Sequence, residues 1–133
     1  MKAVYTVSQD KDYQEILSVG GHELLLDSLI ESGGGELGPS PHDLLTGALL
    51  GCKAMTMRMY AKRKNWDLAG LKLSGNQVHI DRNNTRFEIT IEFPNNLTDE
   101  QKQRLLEIST HCPVHKSLIG QVEIASLEGP VAK

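Results

Sequence analysis

The chain has 133 residues, of which 39% are apolar and 23% charged, with a formal net charge of −3. That is one domain's worth of chain, able to bury a core without disulfide staples or a structural metal, and residues 1–133 read as a single domain. The slight negative balance gives no footing for a nucleic-acid partner, and the ordinary apolar share excludes a disordered polyelectrolyte.

The amino terminus, Met1-Lys2-Ala3-Val4-Tyr5 running into Ser8-Gln9-Asp10, has neither the apolar core of a signal peptide nor a lipidation motif. No uncharged run reaches membrane-spanning length. A cytoplasmic address with no membrane partner is expected. In that reducing compartment two cysteines read as free thiols or a transient pair, not a permanent staple.

The first part of the chain reads as short strands, with Leu24-Leu25-Leu26 inside a segment from His22 to Asp27 that follows a turn at Gly20-Gly21. Ser32-Gly33-Gly34-Gly35 reads as a flexible loop. Ser40-Pro41-His42-Asp43 is a strong helix start: a serine cap, proline at the first helical position and an acid near the positive end of the dipole. Leu45, Ala48, Leu49, Cys52, Met55, Thr56 and Met59 then recur at helical spacing. From Leu44 to Cys52 no residue is charged, which predicts a half-helix buried on all sides, at the centre of the fold or in a dimer interface. Charge begins only at Lys53 and Arg58, and Lys62-Arg63-Lys64 reads as the cationic end of the helix.

Beyond the helix, Leu71 and Leu73 share one parity and Val78 and Ile80 the other, which predicts a bulge near Gly75. Asp81-Arg82-Asn83-Asn84 is a turn. Phe87, Ile89, Ile91 and Phe93 alternate with Glu88, Thr90 and Glu92 as in a half-buried antiparallel strand. Thr98-Asp99-Glu100-Gln101 has the form of a capping box opening a helix with Leu105, Leu106 and Ile108 inward. Cys112-Pro113 ends that helix and starts another. A last strand is expected near Val122 to Ser126. The class is α+β, antiparallel sheet with helices packed on it.

The chemistry rests on Cys52 and Cys112. Taken alone, Cys52 in an apolar stripe reads as a small core residue whose burial raises its pKa. Cys112 stands before a helix-opening proline, where unpaired backbone amides favour a thiolate, with His111 and His115 close by in sequence. Sixty positions of separation leave both a redox pair and two unrelated buried thiols open. A zinc site from Cys52, Cys112, His111 and His115 lacks ligand spacing. His22-Glu23 begins like a zincin motif but Leu26 stands where the second histidine is required. No nucleophile elbow is present. Neither metal nor cofactor is expected.

The run Ser40-Pro41-His42-Asp43-Leu44-Leu45-Thr46-Gly47-Ala48-Leu49-Leu50-Gly51-Cys52, followed in order by Cys112-Pro113-Val114-His115-Lys116, resembles the two signatures of the OsmC and organic hydroperoxide resistance family. The resemblance covers nearly the whole chain, since the intervening strands and helix also stand in the family's order. It implies an intertwined homodimer in which antiparallel sheets wrap around long central helices. It further implies thiol-dependent reduction of organic hydroperoxides in oxidative-stress defence. Cys52 would be the peroxidatic thiolate and Cys112 its disulfide partner, with an external dithiol (a lipoyl-bearing protein in the best-known branches) as reductant. The apolar half-helix suits an alkyl hydroperoxide.

Two departures from the family pattern stand out. His42 occupies the place of the glutamate of the peroxidase branches, and no amino-terminal arginine precedes Arg58. His42, if protonated, could supply positive charge or could be a plain helix-start residue; at ten residues' separation it lies roughly 15 Å along the helix from Cys52, which favours the latter, and a Cys52 less acidic than in the arginine-bearing branches is expected. A second reading, from another class, is a non-catalytic or weakly catalytic dimer that binds a small apolar ligand.

Overall fold

A computed structural model describes residues 2–133. The chain forms two compact units, one from the segment up to Leu44 together with Ile124–Lys133, the other from Leu45–Glu123.

In the first unit β1 (Val4–Ser8), β2 (Glu15–Val19) and β3 (His22–Leu26) make an antiparallel sheet in that order. Val19 pairs with His22, which leaves Gly20-Gly21 as the two turn residues. Their φ values of 54° and 87° are those of the tight turn whose twist matches the strands, and glycine takes them without strain. Just past β3 the buried carboxylate of Asp27 accepts the backbone N–H of Ser28 at 2.7 Å, Gly35 at 3.3 Å and Leu37 at 3.1 Å. The bond from Leu37 is the largest influence holding its pKa below the ordinary carboxylate value, with burial opposing. The glycine run expected to be flexible is therefore tied down, because one carboxylate collects three otherwise unpaired donors from the loop.

α1 (Pro41–Arg63) starts where the sequence predicts: the Ser40 hydroxyl accepts the Asp43 N–H at 3.2 Å, and Lys62 and Arg63 lie in the last turn. Only one of its faces is covered. Thr46, Leu49, Lys53, Met57 and Ala61 are buried, spaced three and four residues apart. Leu45, Met55 and Met59 are exposed, and they share a heptad-like seam with Ala48 and Cys52. The expectation that Leu44 to Cys52 is buried on all sides thus fails within a single chain: the absence of charge marks an apolar face that the chain itself does not cover.

The second unit is built on α1 and the antiparallel hairpin of β4 (Lys72–Asp81) and β5 (Asn84–Glu92). Its core comprises Met57, Ala61, Leu68 and Leu105, with Tyr60, Trp66, Leu73, Ile91 and Phe93 packed around it. On β5, Phe87, Ile89 and Ile91 are half-buried and Glu88, Thr90 and Glu92 exposed, as the alternation predicts. The β4 register is regular through Gly75, and its one irregularity lies between His79 and Asp81. The parity change expected to mark a bulge at Gly75 instead reflects exposed apolar residues, Val78 and Ile80, on the open side. Gly75 has a packing reason: a Cβ there would stand 3.2 Å from Leu50 Cδ2 and 3.4 Å from Thr46 Cγ2, so its absence lets α1 lie close on the sheet.

α2 (Asp99–Ser109) opens with the full capping box, Thr98 and Gln101 each bonding the other's backbone N–H at 3.1 and 2.9 Å. Leu105 and Ile108 are buried, but Leu106, expected inward, is exposed. α3 (Pro113–Ile119) follows with Cys112 as its cap residue. No strand forms near Val122 to Ser126. The segment is apolar and open, with Ile124 86% and Leu127 93% exposed. A strand pattern in side chains becomes a strand only where another backbone offers its edge. The class is α+β, as predicted. Among the described residues no helix is long and apolar enough to cross a membrane.

Candidate functional site

α1 carries Cys52 at mid-length on its open seam, half-buried, and the α2–α3 junction brings Cys112 to it, fully buried. The two thiols are hydrogen-bonding neighbours. Pro113 is the local cause of the second position: it stops the preceding helix and starts α3, so Cys112 becomes the cap and its Sγ accepts the His115 N–H at 3.4 Å.

The two sulfurs are electrostatically unlike. Burial is the largest influence on Cys52 and resists its ionisation. Hydrogen bonds from the Cys112 thiol, the Val114 N–H and the Thr56 hydroxyl, with the charge of Lys53, outweigh it and bring the Cys52 pKa below the ordinary thiol value. The Thr56 hydroxyl also lies 2.8 Å from the Cys52 carbonyl oxygen; with one hydrogen to give, it serves one acceptor at a time. Cys112 goes the other way. Burial pushes its pKa up, and donation of its S–H to Cys52 raises it further, despite the amides of His115 and Val114. The cap position, which in the sequence favours a thiolate at Cys112, is overridden by complete burial.

A third group emerges that sequence reasoning missed. Lys53, read as the onset of the polar surface, is only 5% exposed. Its Nζ donates to the Ser109 carbonyl at 2.9 Å and meets His115 Nδ1 at 2.7 Å. Burial, and then the Lys53 charge, depress the basicity of His115, so the ring is neutral, accepting at Nδ1 and carrying its hydrogen on Nε2. The available signal was phase: Lys53 falls on the three-four spacing of Thr46, Leu49 and Met57, the buried face. His42 lies in the first turn of α1 and His111 is exposed beside Cys112. Among the described residues no group of three or more His, Cys, Asp or Glu side chains is placed to hold a metal ion.

Two hollows flank the pair. One of about 450 Å³ opens over Cys52, lined by Ala48, Gly51, Met55, Thr56, Met59 and Pro113. The other, of about 390 Å³, lies between α1, β5 and α3, where Lys53, Ser109 and His115 are set among Leu49, Phe87, Ile89, Ile91 and Leu118. The first leads to the sulfur and the second to the ammonium.

The family model described as OsmC-like protein matches residues 33–126, a span that holds both cysteines. Among solved structures, a provisionally assigned osmotic stress induced and detoxification response protein of Psychrobacter arcticus superposes with a TM-score of 0.77 at 24% identity, over 88% of each chain. An organic hydroperoxide resistance protein OsmC of Legionella pneumophila gives 0.66 at 14% identity over 90% of each. The organic hydroperoxide resistance protein OhrB of Bacillus subtilis gives 0.62 at 17%, over 92% of this chain and 93% of that one. Among curated proteins none matches. The chain belongs to the OsmC-like protein family, and its fold is the one these structures share.

Proposed function

We propose that the chain is a thiol peroxidase that reduces organic hydroperoxides through Cys52 and Cys112. The observation that carries this reading is the pairing of an acidified, half-exposed Cys52 with a buried, protonated Cys112 in hydrogen-bond contact. Two structures of the same fold are named as organic hydroperoxide resistance proteins, which supports it.

The chemistry runs in balanced steps. The Cys52 thiolate attacks the terminal peroxide oxygen, the O–O bond breaks, and Cys52 becomes a sulfenic acid while the alkoxide takes a proton and leaves as alcohol. The Cys112 sulfur then attacks the sulfenic sulfur, forming the disulfide and releasing water. An external dithiol returns both to thiols by exchange, becoming a disulfide itself. The apolar hollow over Cys52 favours an alkyl chain over hydrogen peroxide, which has no apolar surface to bury. The test is a titration. One equivalent of an organic hydroperoxide should remove both thiols of the reduced protein and yield one intramolecular disulfide and one alcohol. Retention of both thiols would refute the reading.

The same reading makes the chain a cytoplasmic homodimer, with residues 1–133 acting as one domain. What supports the dimer is the uncovered α1 seam, where Met55 is 63% and Met59 65% exposed, together with exposed Val78, Ile80 and Ile124. So much apolar surface on one small chain is a mark of an interaction site. Met55→Glu should turn a dimer into a monomer in sedimentation, since an unpaired carboxylate would be buried at the contact. A monomeric wild-type protein at micromolar concentration would refute the assembly. The apolar hollow over Cys52 also favours a second reading, a dimer that binds a small apolar ligand without chemistry; that protein would bind ligand with its thiols unchanged by hydroperoxide.

A further inference from the structure

We propose that Lys53 is the counter-cation of the Cys52–Cys112 pair, a positioning residue that holds a positive charge beside the thiols. It rests on the peroxidase reading for its role in turnover, and the test below separates the two.

An ammonium buried to this degree requires compensation, ordinarily from a carboxylate. Among the described residues none pairs with Lys53. Its two hydrogen-bond partners, the Ser109 carbonyl and the neutral His115 imidazole, are uncharged acceptors. Toward the cavity, β5 presents Thr85, Phe87, Ile89 and Ile91, α2 presents Ser109, and α3 presents His115, so among the described residues of this lining no carboxylate faces Lys53. Among the described residues the negative charge that reaches Lys53 is a thiolate of the cysteine pair: burial is the largest influence and lowers the Lys53 pKa, while Cys112 and then Cys52 oppose it and favour the ammonium.

The geometry explains how the cation is held. Lys53 follows Cys52 directly on α1, so its backbone position is fixed by the same helix turn as the sulfur. Its third hydrogen bond is unassigned by these two partners, and its first two tie it to the ends of both elements flanking Cys112. His115 serves twice: its ring accepts from Lys53, and its backbone N–H holds Cys112 Sγ. One residue thus sets the cation and the second sulfur in a common frame. An ammonium with two fixed acceptors cannot swing into water when the thiolate forms, so the electrostatic support is preorganised.

The test is the pH profile of Cys52 alkylation in the reduced, full-length protein, alongside the pH profile of organic hydroperoxide reduction. Lys53→Met keeps the apolar stem and removes the charge. The thiolate limb should move to higher pH, and the peroxide rate at pH 7 should fall at least about tenfold, the lower end of what a nearby opposite charge gives an ionising acid. The rate should climb back toward wild type as pH rises, which a merely structural defect would not do. Lys53→Arg, retaining charge, should restore much of the limb. Should Lys53→Met fail to fold, His115→Leu carries the test: it keeps the N–H on Cys112, frees the Lys53 ammonium, and should move the limb the same way by less. An unchanged alkylation limb in the folded variant would overturn the proposal. Alkylation needs no peroxide, so a shifted limb in a protein whose wild type consumes no hydroperoxide would sink the peroxidase reading and leave this inference standing.

Discussion

Replacing Cys52 by serine is expected to bring organic hydroperoxide consumption to the uncatalysed background. A serine hydroxyl is un-ionised at neutral pH and is a poor nucleophile toward peroxide oxygen, so none of the hydrogen bonds that favour a charge at this position has a charge to favour. Cys112→Ser should behave differently. The first oxidation should proceed once per chain and then stop, with Cys52 held as sulfenic acid or, in excess peroxide, sulfinic acid. Mass spectrometry of each variant after one equivalent of hydroperoxide distinguishes these states. Loss of the first oxidation in the Cys112 variant, with retention in the Cys52 variant, would reverse the two roles.

The second large effect is on stability. Leu105→Ala should cost about 2–5 kcal/mol, the range for a fully buried leucine truncated in a core that relaxes only in part. Leu105 is 0% exposed and packs with Met57, Ala61 and Leu68, so the lost methyl groups leave a void between α1 and α2 rather than a dent at the surface. Urea unfolding at fixed protein concentration measures it. A shift in the midpoint corresponding to less than about 1 kcal/mol, at unchanged slope, would mean that the core collapses around the gap.

Much of this molecule was legible where the physics is local. Ser40-Pro41 and Thr98–Gln101 fix helix starts because the capping groups lie within one turn of the amides they satisfy. The alternation from Phe87 to Ile91 reads as a strand because period two needs no distant partner. Cys112-Pro113 likewise announces its own helix. What escaped depends on the rest of the chain. Lys53 looks like surface in sequence because its acceptors are Ser109 and His115, 56 and 62 positions away. The lack of charge from Leu44 to Cys52 says that a face is apolar and not what lies against it. Parity at Val78 and Ile80 cannot tell a bulge from an outward apolar residue, and Gly75 needed the nearness of Leu50 and Thr46 to be explained. The two sulfurs were visible as candidates, but their division into acid and weaker acid came from burial, which overrules the cap at Cys112.

α3 spans seven residues, well short of the ~12–15 at which an isolated helix becomes even marginal in water, so its order depends on its first turn and its neighbours. Most helix caps are oxygen atoms whose chemistry never changes. This one is a sulfur, and its capacity to accept the His115 amide differs between thiol, thiolate and disulfide. Ionisation of Cys112 therefore bears on the local folding of α3: a thiolate is the stronger acceptor for the His115 amide and would tighten the turn, an adjustment that a serine cap, un-ionised at neutral pH, could not make.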